Sequence, residues 1–360
     1  MKKTMKAQVF YEPCVMRMEE VPVPEVADNQ VLVRVLACGI CGSDLAYYYG
    51  KSPLETPNGK GPLILGHEFS GEVAQVGRIA REMRLFEVGD RVLANPVQNC
   101  NACPECAREQ VNLCKNTRTS GVNFNGAFAE YALVNYTHLH KISDDISFEQ
   151  AALCEPLACA CYGVKKLDVK LGDFVVIFGP GTLGLMQLKL IRASGAGKIA
   201  MVGILDYGLE KAREMGADYV FNTLDKNSPY YTDDLVKSIS EITDGDMADR
   251  AIVPTAAKSA LQGALDVTGR GANIVYFGLP GEDTILEVPL LHTLQMDKRI
   301  NVSWLAPFTW DTAIKSMKAG FVTPEEFVTH RFRLEELEQA IAFMSDNSKP
   351  EKIKGMVLMD

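Results

Sequence analysis

In the segment GDFVVIFGPGTLGLMQLKLIRASGAGKIAMVGILDYGLEKAREMGADYVFN, which begins at Gly172, the spacing of apolar residues changes from one stretch to the next. FVVIF is a continuous apolar run and predicts a strand buried on both faces. The Leu, Met and Ile positions after it keep helical spacing until Gly195, a residue type that closes helices. IAMV predicts a second strand, and GLEKAREMGA a second helix ending at Gly216. FVVIFGPGTLGLMQLKLI is the most apolar stretch of the chain, but glycines, a proline and a lysine break it. It therefore predicts a core strand and helix, not a membrane span. At the N-terminus, MKKTMKAQVFYEP has lysines without an apolar run behind them, which does not read as a signal peptide. There is no internal repeat and no low-complexity tract.

Gly179, Gly181 and Gly184 form G-x-G-x-x-G between that first strand and helix, with Thr182 and Leu183 as its last variable positions. The motif alone is weak. Between a strand and a helix that lead to a second strand, it predicts a dinucleotide site, because bare glycine backbone and a helix N-terminus receive a pyrophosphate. An acid for the adenosine ribose should close the second strand. Here that strand ends in Gly203, the nearest carboxylate is Asp206, and no arginine follows directly to receive a 2'-phosphate. The expected cofactor is NAD in preference to NADP, with modest discrimination.

The chain has 360 residues, long for one core, so two domains are expected. A hydrophobic content of 47% is that of a globular protein. The net charge of -9 and the lack of any Lys/Arg-rich run argue against a nucleic-acid partner. Without an export signal or a span, the cytoplasm is the expected compartment and no membrane partner is expected.

In a reducing compartment, clustered cysteines favour metal over disulfides. QNCNACPECAREQVNLCKN carries Cys100, Cys103, Cys106 and Cys114, with Pro104 and Asn112 suited to a looped backbone. Four thiolates without a competing oxygen make a closed tetrahedral zinc site, a structural one that offers no open position. Buried free thiols are the plain alternative.

A second set is dispersed: Cys41 in CGICGSD, His67 and Glu68 in LGHEFSGEV, Cys154 and Glu155 in LCEPLACACYGV. Each piece alone is unspecific, since Cys41 would more often be core and a His beside a Glu a polar turn. Together they supply thiolate, imidazole and carboxylate, a mixed set that can hold zinc with one position free. Such a zinc can bind an alcohol oxygen and lower its pKa. Asp44 is either the acceptor that orients His67 or a solvated turn residue.

The order CGICGSD, GHE, four cysteines at this spacing, EPLA and G-x-G-x-x-G resembles the zinc-dependent medium-chain dehydrogenases, particularly their sorbitol and threonine dehydrogenase branch. The resemblance runs to the closing VTHRFRLEELEQAI. It implies an α/β protein, a Rossmann doubly wound parallel sheet over residues 158–300 and a GroES-like, mostly-β catalytic domain from 1–157 and 301–360. A zinc lobe is expected at about 95–117, and the reaction site in the cleft between the domains. It also implies that Cys41, His67 and Glu155 hold the catalytic zinc, that Glu68 approaches it directly or through water, and that Cys154 is a decoy or a backup. Ser43 looks like the hydroxyl that passes the substrate proton on, and Tyr47 like a substrate-pocket tyrosine.

Two positions depart from that family. A histidine often found three residues after the serine is Ala46 here, so protons must leave by Tyr47, the cofactor ribose or water. In INVSWLAPFTW, Leu305 stands where sorbitol dehydrogenases carry a polyol-contacting arginine, with Trp304, Pro307 and Phe308 nearby. The expected activity is zinc-dependent hydride transfer between a secondary alcohol, or its ketone, and a nicotinamide cofactor in a homodimer or homotetramer. L-Threonine or 2,3-butanediol dehydrogenase is the alternative within this class, and a non-enzymatic zinc-binding regulator that kept the fold is the alternative outside it.

Overall fold

The computed structural model describes residues 3–52 and 61–359. The chain divides into two compact units. One comprises residues 1–156, 310–349 and 354–360, the other residues 157–309 and 350–353. The first crossing thus falls one residue from the expected boundary, the second at 309/310 instead of 300/301. The later crossing has a physical cause: Arg299–Val302 hydrogen-bonds in parallel register to Thr268–Tyr276, so residues 301 and 302 complete a sheet of the second unit.

The first unit is built on a seven-stranded sheet. Its long strand Gln30–Ile40 pairs antiparallel with Glu68–Val76, Tyr131–Asn135 and Lys354–Leu358. The last of these lies parallel to Val328–Arg333. A three-stranded sheet of Val15–Pro22, Thr4–Glu12 and Leu63–Ile64 accompanies it. Val31, Val33, Val35, Phe69, Phe128 and Leu337 belong to one continuous core. The register that matters for chemistry is Gly39 opposite Glu68, and Gly39 opposite Met356 two residues from Lys354.

The second unit holds six parallel strands. Numbered within the unit, their order is 3-2-1-4-5-6, which is the Rossmann order. FVVIF is its central strand Phe174–Phe178, with all five residues buried, and Thr182–Ala193 is the helix after the glycine turn. Lys198–Gly203 and Asp206–Glu214 follow, the helix beginning two residues before the expected Gly208. The strand order reverses between Phe174–Phe178 and Ala248–Val253, so the glycine turn lies at the switch point where such sheets take ligands. Among the described residues, no helix is long and apolar enough to cross a membrane.

Candidate active site and metal centres

Cys41 leaves the strand Gln30–Ile40 and caps the helix Gly42–Tyr48. Asp44, in the first turn of that helix, turns back, and its Oδ2 accepts from the Cys41 backbone N–H at 2.9 Å. Its Oδ1 accepts from Gly66 N–H at 3.3 Å and lies 3.5 Å from His67 Nδ1. One carboxylate, only 1% exposed, thus fixes the backbone of one candidate ligand and faces the ring of another. A solvated turn residue would not be buried in this way. Burial alone would lower the pKa of His67, but the Asp44 carboxylate, together with Cys41, more than reverses this and holds it well above the ordinary histidine value. With Nδ1 turned to Asp44, Nε2 is the ring nitrogen left for a metal, and Ser43 Oγ stands 3.5 Å from it.

The ligating atoms of Cys41, His67 and Glu68 lie within 4.8 Å of one another. Sulfur, nitrogen and oxygen donors at that spacing suit zinc. Glu155 is outside this three-residue group, in the first turn of the helix Cys154–Leu167. Cys154 beside it is buried. Tyr47 is buried as well, its hydroxyl donates to the Val122 carbonyl at 3.2 Å, and burial raises its phenol to about 12.

Sequence reasoning missed Lys354. Its ammonium pairs with Glu68 Oε2, and the two side chains are 4% and 1% exposed. Burial alone would depress this lysine, but the charge of Glu68, followed by those of Cys41 and Glu155, raises it, so it stays protonated. Gly39 makes room for the pair: a Cβ there would lie 2.1 Å from Glu68 Oε2 and 3.0 Å from Lys354 Cε. The one available signal was a lysine placed directly before the apolar strand run GMVL.

In the lobe, Cys103 caps the short helix Pro104–Ala107, with Pro104 at its first position, where a missing N–H costs nothing. Asn112 lies in the single turn Val111–Leu113. The sulfurs of Cys100, Cys103, Cys106 and Cys114 all lie within 4.8 Å of one another. A zinc tetrahedron with bonds of about 2.3 Å has edges of about 3.8 Å, so the four sulfurs fit that ion. N–H donors from Ala102 and the Asn116 amide face Cys100 and help lower its thiol to about 6, toward the thiolate that zinc binds. Behind the cluster, Asn99 donates to Cys106 Sγ at 3.8 Å and accepts from His138 Nε2 at 3.1 Å. Of residues 97–119, only Cys114 is buried, so this segment has almost no apolar core of its own. None of the ten cysteines is in a disulfide.

At the glycine turn the three glycines have different causes. Gly179 has φ 112°, a left-handed value that favours glycine. At Gly184 a Cβ would lie 1.9 Å from the Gly179 carbonyl oxygen, so helix and strand could not pack. A Cβ on Gly181 would meet nothing within 4 Å. The protein itself therefore leaves open the space that a cofactor phosphate needs, and the helix Thr182–Ala193 begins there without a side-chain cap on its N–H groups. The Thr182 hydroxyl donates to the Ile353 carbonyl at 2.9 Å, and Leu183 is half-buried beside it. Gly203 is buried at its strand end. Asp206 Oδ1 accepts from Asn222 Nδ2 at 2.8 Å and Ser228 Oγ at 2.6 Å, which ties this acid to the following strand and loop.

Comparison with known proteins agrees with both halves. Residues 27–144 match the alcohol dehydrogenase GroES-like domain, and residues 182–319 the zinc-binding dehydrogenase domain. A sorbitol dehydrogenase of Bacillus subtilis is 31% identical over 342 residues, 94% of this chain and 93% of its own. Among solved structures, a zinc-binding dehydrogenase from Sinorhizobium meliloti bound to NADP has a TM-score of 0.88 at 28% identity, covering 99% of this chain and 100% of that one. An Escherichia coli alcohol dehydrogenase complexed with NADH also has 0.88, at 27% identity and the same coverage.

Proposed function

We propose, since the chain belongs to the zinc-dependent medium-chain dehydrogenases and to their sorbitol and threonine dehydrogenase branch, that its substrate is a secondary alcohol, or the matching ketone, less hydroxylated than sorbitol. The reaction class is hydride exchange between an alcohol and a nicotinamide cofactor. Zinc, when bound, supplies Lewis acidity toward the alcohol or carbonyl oxygen, and the nicotinamide takes or gives the hydride.

The chain's own residues do the rest. Cys41, His67 and Glu68, whose donor atoms already stand together, would hold the catalytic ion, with Lys354 pinning Glu68 and Glu155 as the further carboxylate that the family resemblance assigns to it. Asp44 fixes the His67 ring through Nδ1. Ser43 Oγ relays the hydroxyl proton of the substrate on oxidation, taking it up as its own hydroxyl proton passes on to Tyr47, the cofactor ribose or water, and the relay runs backwards on reduction. Tyr47 forms a wall of the substrate pocket and keeps its proton at neutral pH. Cys100, Cys103, Cys106 and Cys114 hold the second ion as a staple of the lobe.

Leu305 carries the substrate reading. The residue has φ 60°, a strained value for leucine, within a turn that also holds Trp304 and a largely exposed Phe308. Phenyl and isobutyl groups offer a polyol no partner for its hydroxyls and an indole at most its one N–H, whereas an apolar carbon skeleton gains from burial. NAD is the cofactor we favour over NADP, by a modest factor, because Ile204, Leu205 and Asp206 follow Gly203 and supply no cation. A second copy of the chain is the expected partner. The edge strand Arg299–Val302 and the helix Leu290–Gln295 expose Val302, Leu290, Leu291 and Leu294, each by more than 60%. We place the protein in the cytoplasm, where its thiols remain reduced.

A panel of sorbitol, L-threonine, 2,3-butanediol and bulky cyclic secondary alcohols, read by nicotinamide absorbance, tests the substrate. Apolar secondary alcohols should exceed sorbitol in kcat/KM by at least about tenfold, equivalent to about 1.4 kcal/mol in the transition state. Sorbitol as the best substrate would overturn this reading. L-Threonine or 2,3-butanediol as the best would move the assignment to that enzyme.

A further inference from the structure

The missing acid at the end of the strand Lys198–Gly203 has a cause inside the glycine turn. A Cβ on Gly203 would lie 2.7 Å from Pro180 Cδ and 2.8 Å from Pro180 Cγ. One on Gly208, in the next helix, would lie 2.9 Å from Pro180 Cγ and 2.9 Å from its carbonyl oxygen. Pro180 is the first variable residue of G-x-G-x-x-G, and its ring fills the space that side chains at both positions would need. A ring closed onto its own backbone has no rotamer by which to withdraw, and Leu209 Cδ2 stands 3.2 Å from the same Cβ position on Gly203. Asp206 does not simply take over the lost role, since its Oδ1 already accepts from Asn222 and Ser228.

We infer that Pro180 is the residue that sets cofactor specificity here, by excluding any side chain, and so any ribose-binding acid, from position 203. Pro180, Gly203 and Gly208 act as one unit. The adenosine-ribose end of the site then offers glycine backbone in place of a carboxylate. It neither grips the 2'-hydroxyl of NAD as a strand-end acid does nor repels a 2'-phosphate. An acid placed at 203 alone cannot repair this, whereas the same acid should fit once the ring is gone. The inference rests on the proposed modest preference between cofactors, and its experiment separates the two.

NADH and NADPH dissociation constants, from nicotinamide fluorescence, and thermal melts are to be measured for the wild type, Pro180→Ala, Gly203→Asp and the double variant. Gly203→Ala with and without Pro180→Ala isolates the effect of a bare Cβ. Wild-type constants within about tenfold of each other are expected, a range that corresponds to about 1.4 kcal/mol. Gly203→Asp alone should weaken both cofactors and melt early. The double variant should regain NADH binding and shift the NADPH-to-NADH ratio by at least about thirtyfold toward NADH, about 2 kcal/mol. Pro180→Ala should likewise restore the melting temperature lost in Gly203→Ala. Gly203→Asp binding NADH tightly without loss of melting temperature would overturn the inference. So would early melting of Gly203→Ala that Pro180→Ala fails to relieve. A wild type that prefers NADH more than about a thousandfold, or about 4 kcal/mol, would refute the modest preference and with it the hold of Pro180 on specificity, leaving its steric exclusion of a side chain at 203 to the melts.

Discussion

Lys354→Met removes the ammonium from the most deeply buried ion pair at the candidate active site and keeps an unbranched side chain of similar length. Glu68 would then hold a carboxylate that is 1% exposed, in a space so tight that Gly39 cannot take a methyl group. Stranding one member of a buried pair costs about 3–5 kcal/mol, whereas replacing both members is often close to neutral. For a domain of this size that cost is a fall in melting temperature on the order of 10 °C. The assay is a thermal melt after mild chelation has removed the ion at this site, with Glu68→Gln and the double variant completing a cycle. Lys354→Met should melt well below the wild type, and Lys354→Met/Glu68→Gln should recover most of the loss, with a coupling energy of about 2 kcal/mol or more. If Lys354→Met melts within about 2 °C of the wild type, less than the effect of 1 kcal/mol, the ion pair does not hold this part of the sheet together. A double variant no better than the single one would refute the charge argument and leave only a packing defect.

Three further outcomes test other parts of the molecule. Cys103→Ser should lower both lobe zinc content and melting temperature, because metal binding at comparable closed sites is worth about 10–16 kcal/mol; unchanged zinc and melting with turnover abolished would show that the lobe is no staple. Asp44→Asn turns the acceptor of Cys41 N–H and Gly66 N–H, which also faces the His67 ring, partly into a donor, and should weaken catalytic zinc by about 10–100-fold while lobe zinc stays bound. His138 is held down to about 4, mainly by burial, against an ordinary 6.5. Between those values the unfolded chain takes up a proton that the folded one refuses, so this stability is complete above pH 6.5 and is lost as pH falls toward 4, by up to about 3 kcal/mol. Urea melts at pH 7 and 5 should show a smaller acid loss in His138→Gln than in the wild type.

The Rossmann unit was legible because its signals are local. A strand buried on both faces must be apolar throughout, so FVVIF coincides with Phe174–Phe178. Its last strand was not legible: Arg299–Val302 is an edge strand, half charged or polar, and only its register with Thr268–Tyr276 gives it away. The lobe cysteines were legible from spacing alone, since a closed metal site within one short loop needs its ligands close in sequence. The dispersed ligands became readable only as a set. What joins them is the turn of Asp44 back onto Cys41 and Gly66, a matter of hydrogen bonds that composition does not encode.

Lys354 and Pro180 mark where sequence reading ends, for different reasons. Lys354 reaches Glu68 because Lys354–Leu358 and Glu68–Val76 flank the same strand, with Gly39 between them. Nothing in KGMVL names that neighbour. Reading the strand-end Gly203 as a lost acid treats each position as independent. The structure makes the loss a consequence of another residue, because a proline ring and a side chain cannot occupy the same space. The glycine at 203 is then a steric requirement of this particular turn, because a side chain there and the ring of Pro180 exclude one another.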